Sequence, residues 1–126
     1  MKFEKTIFPD VYVITLDEYC RKHNVSPQFI KIDVEGNEHQ VIRGAINTLT
    51  QYKPSMLMEC EVRHIGENKM KTIFSELESL GYEGFFFFDG KVLPIKEFRT
   101  DVHQDTSLIN KYKYANNFGF VNSSKK

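Results

Sequence analysis

The sequence lacks the features that mark several large classes of protein. Its 17 lysines and arginines are balanced by 17 aspartates and glutamates, so it has no basic excess of the kind that nucleic-acid binding requires. No run of about 18 apolar residues is present, which argues against a membrane span. The start, Met1 to Lys5, has no apolar segment and predicts no signal peptide. We therefore expect a cytoplasmic protein that binds neither nucleic acid nor membrane.

Cysteine is also scarce. Cys20 and Cys60 stand alone, and neither has the spacing of a zinc site or the neighbours of a nucleophilic cysteine. We predict two reduced, partly buried thiols, and no metal site built on them.

The length and the hydropathy pattern predict one α/β domain over residues 1–126, with a flexible tail at 122–126. Thr15 and Glu18 form a capping-box pattern at the start of the first helix, and Gly81 follows the last helix. Helices are expected at 16–23, from an N-cap at Asn37 to an end at Lys53-Pro54, and at 67–80. Strands are expected at 11–15, 29–34, 55–61, 82–88, 91–93 and 117–121.

Three features of the second half carry further predictions. The strand at 82–88 contains four consecutive phenylalanines, which favours burial on both faces over a platform for a ligand. Asp89-Gly90 between two apolar runs predicts a hairpin. The polar stretch at 96–115 is expected to be a long loop, and loops of that length are often functional.

Carboxylates follow two neighbouring strands. Asp33 and Glu35 end one strand, and Glu59 and Glu61 end the next. If the two strands are parallel neighbours, all four side chains meet at the rim where open α/β sheets bind their ligands. We therefore expect Asp33, Glu35 and Glu59 to be catalytic, either as a general base on a hydroxyl or by sharing a divalent cation.

The residues around this rim are candidate substrate-binding groups: Lys31, Glu38, His39, Glu61 and His64. Each has a plainer explanation. Glu38 could simply favour the start of a helix, since the helix dipole attracts negative charge there. Lys31 could form a salt bridge with Asp33, and His39 and His64 could be ordinary surface residues.

Four segments are more specific than this spacing. "TLDEYC" (from Thr15), "FIKIDVEGNEHQVIRGA" (from Phe29) and "KPSMLMECE" (from Lys53) resemble the second half of the FkbM-type methyltransferase domain, and "NNFGFV" (from Asn116) resembles its closing strand. The resemblance implies a partial Rossmann-like fold, with parallel strands and helices followed by an antiparallel pair at 82–88 and 117–121. It also implies S-adenosylmethionine as cofactor and a hydroxyl of a sugar or natural product as methyl acceptor.

The family holds its cofactor mainly in the first half of the domain, through a glycine-rich turn. This sequence has no Gly-x-Gly, so the resemblance implies a truncated or split form whose cofactor-binding residues are unassigned. The alternative is a non-catalytic module that binds a glycan or a cation at the acidic rim. A magnesium-dependent hydrolase is the least favoured, because neither an Asp-x-Asp pair nor a recognisable nucleophile is present.

In the complete family fold the strand at 29–34 pairs with a strand that has no counterpart here. We expect residues 11–15 to fill that position through a right-handed crossover. Otherwise a second chain, in a homodimer or as a different partner, would cover the edge.

Overall fold

A computed structural model describes residues 10–109 and 113–125 of the chain, so Met1 to Lys5 lie outside the described residues. The described residues contain the strands β1 Phe29–Ile32, β2 Ser55–Glu59, β3 Tyr82–Phe88, β4 Lys91–Pro94 and β5 Asn117–Asn122. The α-helices are α1 Leu16–His23, α2 Glu38–Arg43, α3 Ile46–Tyr52, α4 Val62–Ile65, α5 Glu67–Ser79 and α6 Thr100–His103. Short 3-10 helices occupy Ile95–Glu97 and Thr106–Leu108.

The strands form one sheet in the order β1-β2-β5-β3-β4. Only β1 and β2 are parallel, with Ile30 opposite Met56, and the other neighbours are antiparallel. The predicted α/β class and the predicted antiparallel pairing of β3 with β5 are confirmed. The sheet as a whole is mostly antiparallel, because β5 returns between β2 and β3.

The predicted strand at 11–15 is wrong. Residues 11–15 have no regular secondary structure, and Val11 and Tyr12 are 81% and 98% exposed. A β-branched segment forms a strand only where another strand pairs with it, and β1 does not do so here. The proposed crossover beside β1 is therefore also wrong. Thr15 does cap α1 as predicted, since its hydroxyl accepts the Glu18 N–H at 3.0 Å.

The single helix predicted between the N-cap Asn37 and Lys53-Pro54 is two helices, separated at Gly44 and Ala45. The break lets α1 dock. The Asp17 N–H donates to the Gly44 carbonyl at 2.9 Å, and Asp17 Oδ1 accepts both the N–H and the hydroxyl of Thr48 at 2.7 Å. A Cβ at Gly44 would lie 3.1 Å from the Thr15 side chain, so the close approach favours glycine.

The core lies on one face of the sheet, under the helices. Its buried side chains come from β1, β2, β3, β5 and the helices α2, α3 and α5, and they include Ile32, Ile42, Leu49, Met58, Ile73, Leu77, Phe86 and Phe118. The opposite face is partly open: Phe87 and Val121 are both 40% exposed. The prediction that the phenylalanine strand is buried on both faces is therefore wrong, because the helices of the core cluster cover one face. The Asp89-Gly90 hairpin is confirmed, with φ of 52° and 72°.

β1 is only partly buried, since Phe29 is 59% exposed. Cys20 and Cys60 are free and buried, as expected.

The flexible tail predicted at 122–126 begins within the sheet, because Asn122 belongs to β5. The Ser123 N–H donates to the Gly81 carbonyl at 3.0 Å. The mobility of the tail stays a prediction. In the described part of the chain, no helix is long and apolar enough to cross a membrane.

Candidate functional site

The carboxyl ends of β1 and β2 bring the predicted carboxylates together. In the parallel register Ile32 lies opposite Met58, so Asp33 follows beside Glu59. Asp33, Glu35, Glu59 and Glu61 line one small cavity, together with Cys60 and His64. We call this set of four carboxylates the acidic rim. The cavity has a volume of about 10 Å³, the size of one water molecule, so a larger ligand would contact the rim from outside.

Glu59 is the member of the acidic rim whose proton affinity is most suited to chemistry. Partial burial raises its pKa above the ordinary value of 4.5, and the negative charges of Asp33 and Glu61 raise it further. The nearby charge of Lys31 acts in the opposite direction. Asn116 donates to Glu59 Oε1 at 3.3 Å and orients the carboxyl group. Asp33 and Glu59 thus lie beside each other at the rim, and the charge of Asp33 favours the protonated form of Glu59.

Glu61 is in a different state. It is buried, and its Oε1 accepts hydrogen bonds from Arg63 Nε at 2.7 Å and from the Tyr114 hydroxyl at 2.6 Å. Burial alone would raise the pKa of Glu61, but the bonds from Arg63 and Tyr114 outweigh it and lower the pKa. Burial, together with the hydrogen bond to the Glu61 carboxylate and its negative charge, raises the pKa of Tyr114 to about 12. Glu61 is therefore an ionised anchor whose Oε1 is already engaged.

Glu38 lies beneath the rim and does not line its cavity. It is 1% exposed, and its Oε2 accepts the Gly36 N–H at 2.8 Å. This bond closes the turn after β1, where Glu35 and Gly36 have φ of 42° and 108°. The other oxygen, Oε1, has no hydrogen-bond partner in the structure. Glu38 thus holds the turn that presents Glu35.

The remaining predicted residues are less closely tied to the rim. His39 Nε2 lies 3.1 Å from Glu76 on α5 and joins α2 to that helix. His64 Nδ1 is 4.0 Å from Glu61 Oε2, at the edge of the rim cavity. Lys31 is exposed, and among the described residues no salt bridge joins it to Asp33, so its charge acts on Glu59 through space.

Sequence reasoning missed three residues that reach the rim from the expected loop and its end. These residues are Gln104, Tyr114 and Asn116. Gln104 Nε2 donates to the carbonyls of Cys60 and Ala115 at 2.8 and 2.9 Å, and its Oε1 accepts the Val62 N–H at 2.8 Å. Nothing in the local pattern marks Gln104, because its partners are brought to it only by the fold.

Within residues 10–109 and 113–125, no group of three or more histidine, cysteine, aspartate or glutamate side chains is arranged to hold a metal ion. Glu61 Oε1 and Glu38 Oε2 are both engaged in hydrogen bonds within the chain. The structure therefore offers no support for the divalent cation that the sequence suggested at the rim.

Comparison with known families gives one result. The model of the family described as methyltransferase FkbM domain matches residues 4–83, well over half of the chain. The matched part includes α1, both strands of the acidic rim and the start of β3, and it does not extend to the expected closing strand at 117–121. No curated protein and no solved structure matches the chain.

Proposed function

Because the chain belongs to the methyltransferase FkbM domain family, we propose that it takes part in S-adenosylmethionine-dependent methyl transfer to a hydroxyl oxygen. The acceptor class that we propose is a sugar or a natural product, within a partial Rossmann-like fold. The observation that carries the proposal is the position of Asp33 and Glu59 beside each other, at the carboxyl ends of two parallel strands.

The chemistry that we assign to this chain is removal of the hydroxyl proton. Methyl transfer to an alcohol forms a C–O bond, breaks the S–C bond of the donor and releases the proton of the alcohol. Glu59 accepts that proton, since its raised pKa makes it a stronger base than an ordinary glutamate. The negative charge of Asp33 favours the protonated form of Glu59, and Asn116 holds Glu59 in place.

The cofactor itself does not fit the acidic rim. Its adenosyl part is far larger than a cavity of about 10 Å³, and the 126 residues contain no Gly-x-Gly turn to approach its methionine part. We therefore propose a split arrangement, in which additional polypeptide holds the cofactor and this chain holds the acceptor. We also propose a cytoplasmic location, which the two free, buried cysteines support.

The first experiment adds the chain to a cell lysate that can supply the additional polypeptide, together with S-adenosylmethionine labelled in its methyl group and a panel of methyl glycosides, and counts the label in the sugar above that of the lysate alone. We expect Glu59→Gln to lower transfer at least about a hundredfold, the usual effect of removing a general base. The matched control is Glu83→Gln, an exposed glutamate of β3, which should leave transfer unchanged. Transfer should fall with falling pH through the raised pKa of Glu59, because the base must be deprotonated.

The poor fit of the cofactor favours one second candidate, a binding module without catalysis. In that case a methyl glycoside would raise the melting temperature of the chain, while no label would be transferred. S-adenosylmethionine and S-adenosylhomocysteine would then produce no thermal shift. A chain that transfers no label and binds none of these compounds would contradict both proposals.

A further inference from the structure

His103 is buried at the end of α6 among phenylalanine rings. The centroid of its ring lies 4.7 Å from that of Phe86, 4.6 Å from that of Phe88 and 5.7 Å from that of Phe98. Only 8% of His103 is exposed. Phenylalanine has no hydrogen-bond acceptor, so these rings cannot replace the water that a charged imidazole ring would lose. The surroundings of His103 therefore favour the neutral ring.

A backbone hydrogen bond across α6 also requires the neutral ring. The Arg99 N–H donates to His103 Nδ1 at 2.8 Å, and a protonated Nδ1 has no lone pair to accept it. Arg99 is the N-cap residue of α6 and His103 is its last residue, so the bond joins the two ends of this short helix. Protonation replaces the bond by two N–H groups that face each other. Attraction between the charged ring and the phenylalanine faces does not restore it.

The charged groups that act on the His103 ring belong to its own segment of the chain. Asp101 and Glu97 favour the protonated ring, and the charge of Arg99 opposes it. All three residues are exposed, so water screens their charges. β3, which packs against the ring, presents Phe86 and Phe88. Burial outweighs the charges and lowers the pKa of His103.

Gln104, the next residue, joins α6 to the end of β2. Its Nε2 donates to the Cys60 carbonyl at 2.8 Å, and its Oε1 accepts the Val62 N–H at 2.8 Å. Nε2 also donates to the Ala115 carbonyl at 2.9 Å, and the His103 carbonyl accepts the Ala115 N–H at 2.8 Å. Because His103 and Gln104 are adjacent, we expect these four bonds to form and break together with α6.

We propose that His103 is a pH-sensitive switch, whose protonation opens α6 locally and releases the segment that supports the acidic rim. Ala115 stands between Tyr114 and Asn116, whose side chains donate to two carboxylates of the rim. The switch is closed at neutral pH and opens in mild acid while the rest of the protein stays folded. Its effect on methyl transfer rests on the proposed function, but the opening itself does not.

The thiol of Cys60 reports on the opening, because Cys60 is 1% exposed and its carbonyl accepts a bond from Gln104. Cys20 is replaced by alanine throughout, so that Cys60 is the one thiol of the 126-residue chain. Its reaction with a dipyridyl disulfide is measured at about pH 7.5 and about pH 5, relative to that of glutathione at the same pH. We expect the protection of Cys60 to fall at least about fivefold, because the open state binds a proton more readily than the closed state.

His103→Asn is the test variant. The Oδ1 of asparagine takes the place of Nδ1 and accepts the Arg99 N–H at every pH, so the protection of Cys60 should be the same at both pH values. The matched control is His23→Gln, at an exposed histidine of α1, which should keep the pH dependence of the wild type. Circular dichroism shows whether each variant is folded.

Hydrogen exchange of the wild type is a second measurement, which needs no variant at His103. After correction for the intrinsic effect of pH, the protection of the Val62 and Ala115 N–H groups should fall in mild acid, while that of Leu77 in α5 should not. Unchanged protection at Val62 and Ala115, an equal loss at Leu77, or a folded His103→Asn variant that keeps the pH dependence would each overturn the proposal. Neither measurement requires methyl transfer, so failure here leaves the proposed function untouched, and the reverse also holds.

Discussion

The hydroxyl of Tyr114 donates a hydrogen bond of 2.6 Å to Oε1 of Glu61, a residue 53 positions earlier in the chain. Both residues are buried. The contact attaches the segment before β5 to the carboxyl end of β2, so the acidic rim depends on residues far away in sequence. Four predictions follow from the contacts around the rim and behind it.

Tyr114→Phe should lower the free energy of unfolding by about 1.5 kcal/mol, because a buried carboxylate loses a donor. Urea denaturation at pH 7 measures the change, and Tyr19→Phe, at an exposed tyrosine of α1, is the control. The bond from Tyr114 helps to lower the pKa of Glu61, whose contribution to stability is complete above about 4.5 and is lost as the pH falls through its folded pKa. Acid unfolding of Tyr114→Phe should therefore begin at a higher pH than that of the wild type.

Gln104→Ala should lower the free energy of unfolding by about 3 kcal/mol. The substitution leaves the Cys60 and Ala115 carbonyls and the Val62 N–H without their hydrogen-bond partner. Chemical denaturation measures the loss. The control is Gln51→Ala, at an exposed position of α3, which should change stability by less than about 0.5 kcal/mol. A loss at Gln104 no larger than that of the control would show that water replaces these bonds.

His103 should make stability depend on pH. Burial lowers its pKa below 6.5, and its Nδ1 accepts the Arg99 N–H at 2.8 Å, which requires the neutral ring. Its contribution is complete above about 6.5 and is lost as the pH falls through the folded pKa. Replacing His103 by Gln should therefore flatten the decline in unfolding free energy between neutral and mildly acidic pH. The exposed His23, replaced by Gln, should leave the decline unchanged.

Glu59→Gln should stabilise the protein at pH 7, by about 0.5 kcal/mol, because it removes repulsion from Asp33 and Glu61. A raised pKa means that the folded state prefers the protonated carboxyl, so Glu59 costs stability at pH values above its folded pKa and not below about 4.5. The gain should therefore disappear in acid. Melting curves at pH 7 and in acid measure both effects, with Glu83→Gln as the control. Destabilisation by Glu59→Gln at pH 7 would contradict the repulsion of Glu59 by Asp33 and Glu61.

Helices α1 and α5 and the hairpin could be predicted because their signals are local. Thr15 and Glu18 mark the start of α1, the spacing of Met70, Ile73 and Leu77 defines α5, and Asp89-Gly90 makes the turn from β3 to β4. The break at Gly44 escaped prediction because it depends on the docking of α1. Asp17 satisfies the first N–H groups of α3, and that contact joins residues 31 positions apart.

For the candidate site, too, one part could be predicted from the sequence and another could not. Asp33, Glu35, Glu59 and Glu61 could be placed at one rim from the alternation of two strands and their parallel pairing, since both are general properties of α/β sheets. Their protonation could not be predicted. Arg63 and Tyr114 keep Glu61 ionised, whereas Glu59 lies against Asp33 and retains its proton more strongly.

By itself, the sequence determined the α/β class, the family and the position of the acidic rim, because each depends on residues close together in the chain or on strand pairing that hydrophobic alternation dictates. Only the tertiary structure decided that residues 11–15 do not pair with β1, that Gln104 and Tyr114 support the rim, and that the pKa of Glu59 is raised while that of Glu61 is lowered. The physical reason is that strand pairing, burial and pKa values depend on the neighbours in space, and the fold brings those neighbours from distant parts of the chain.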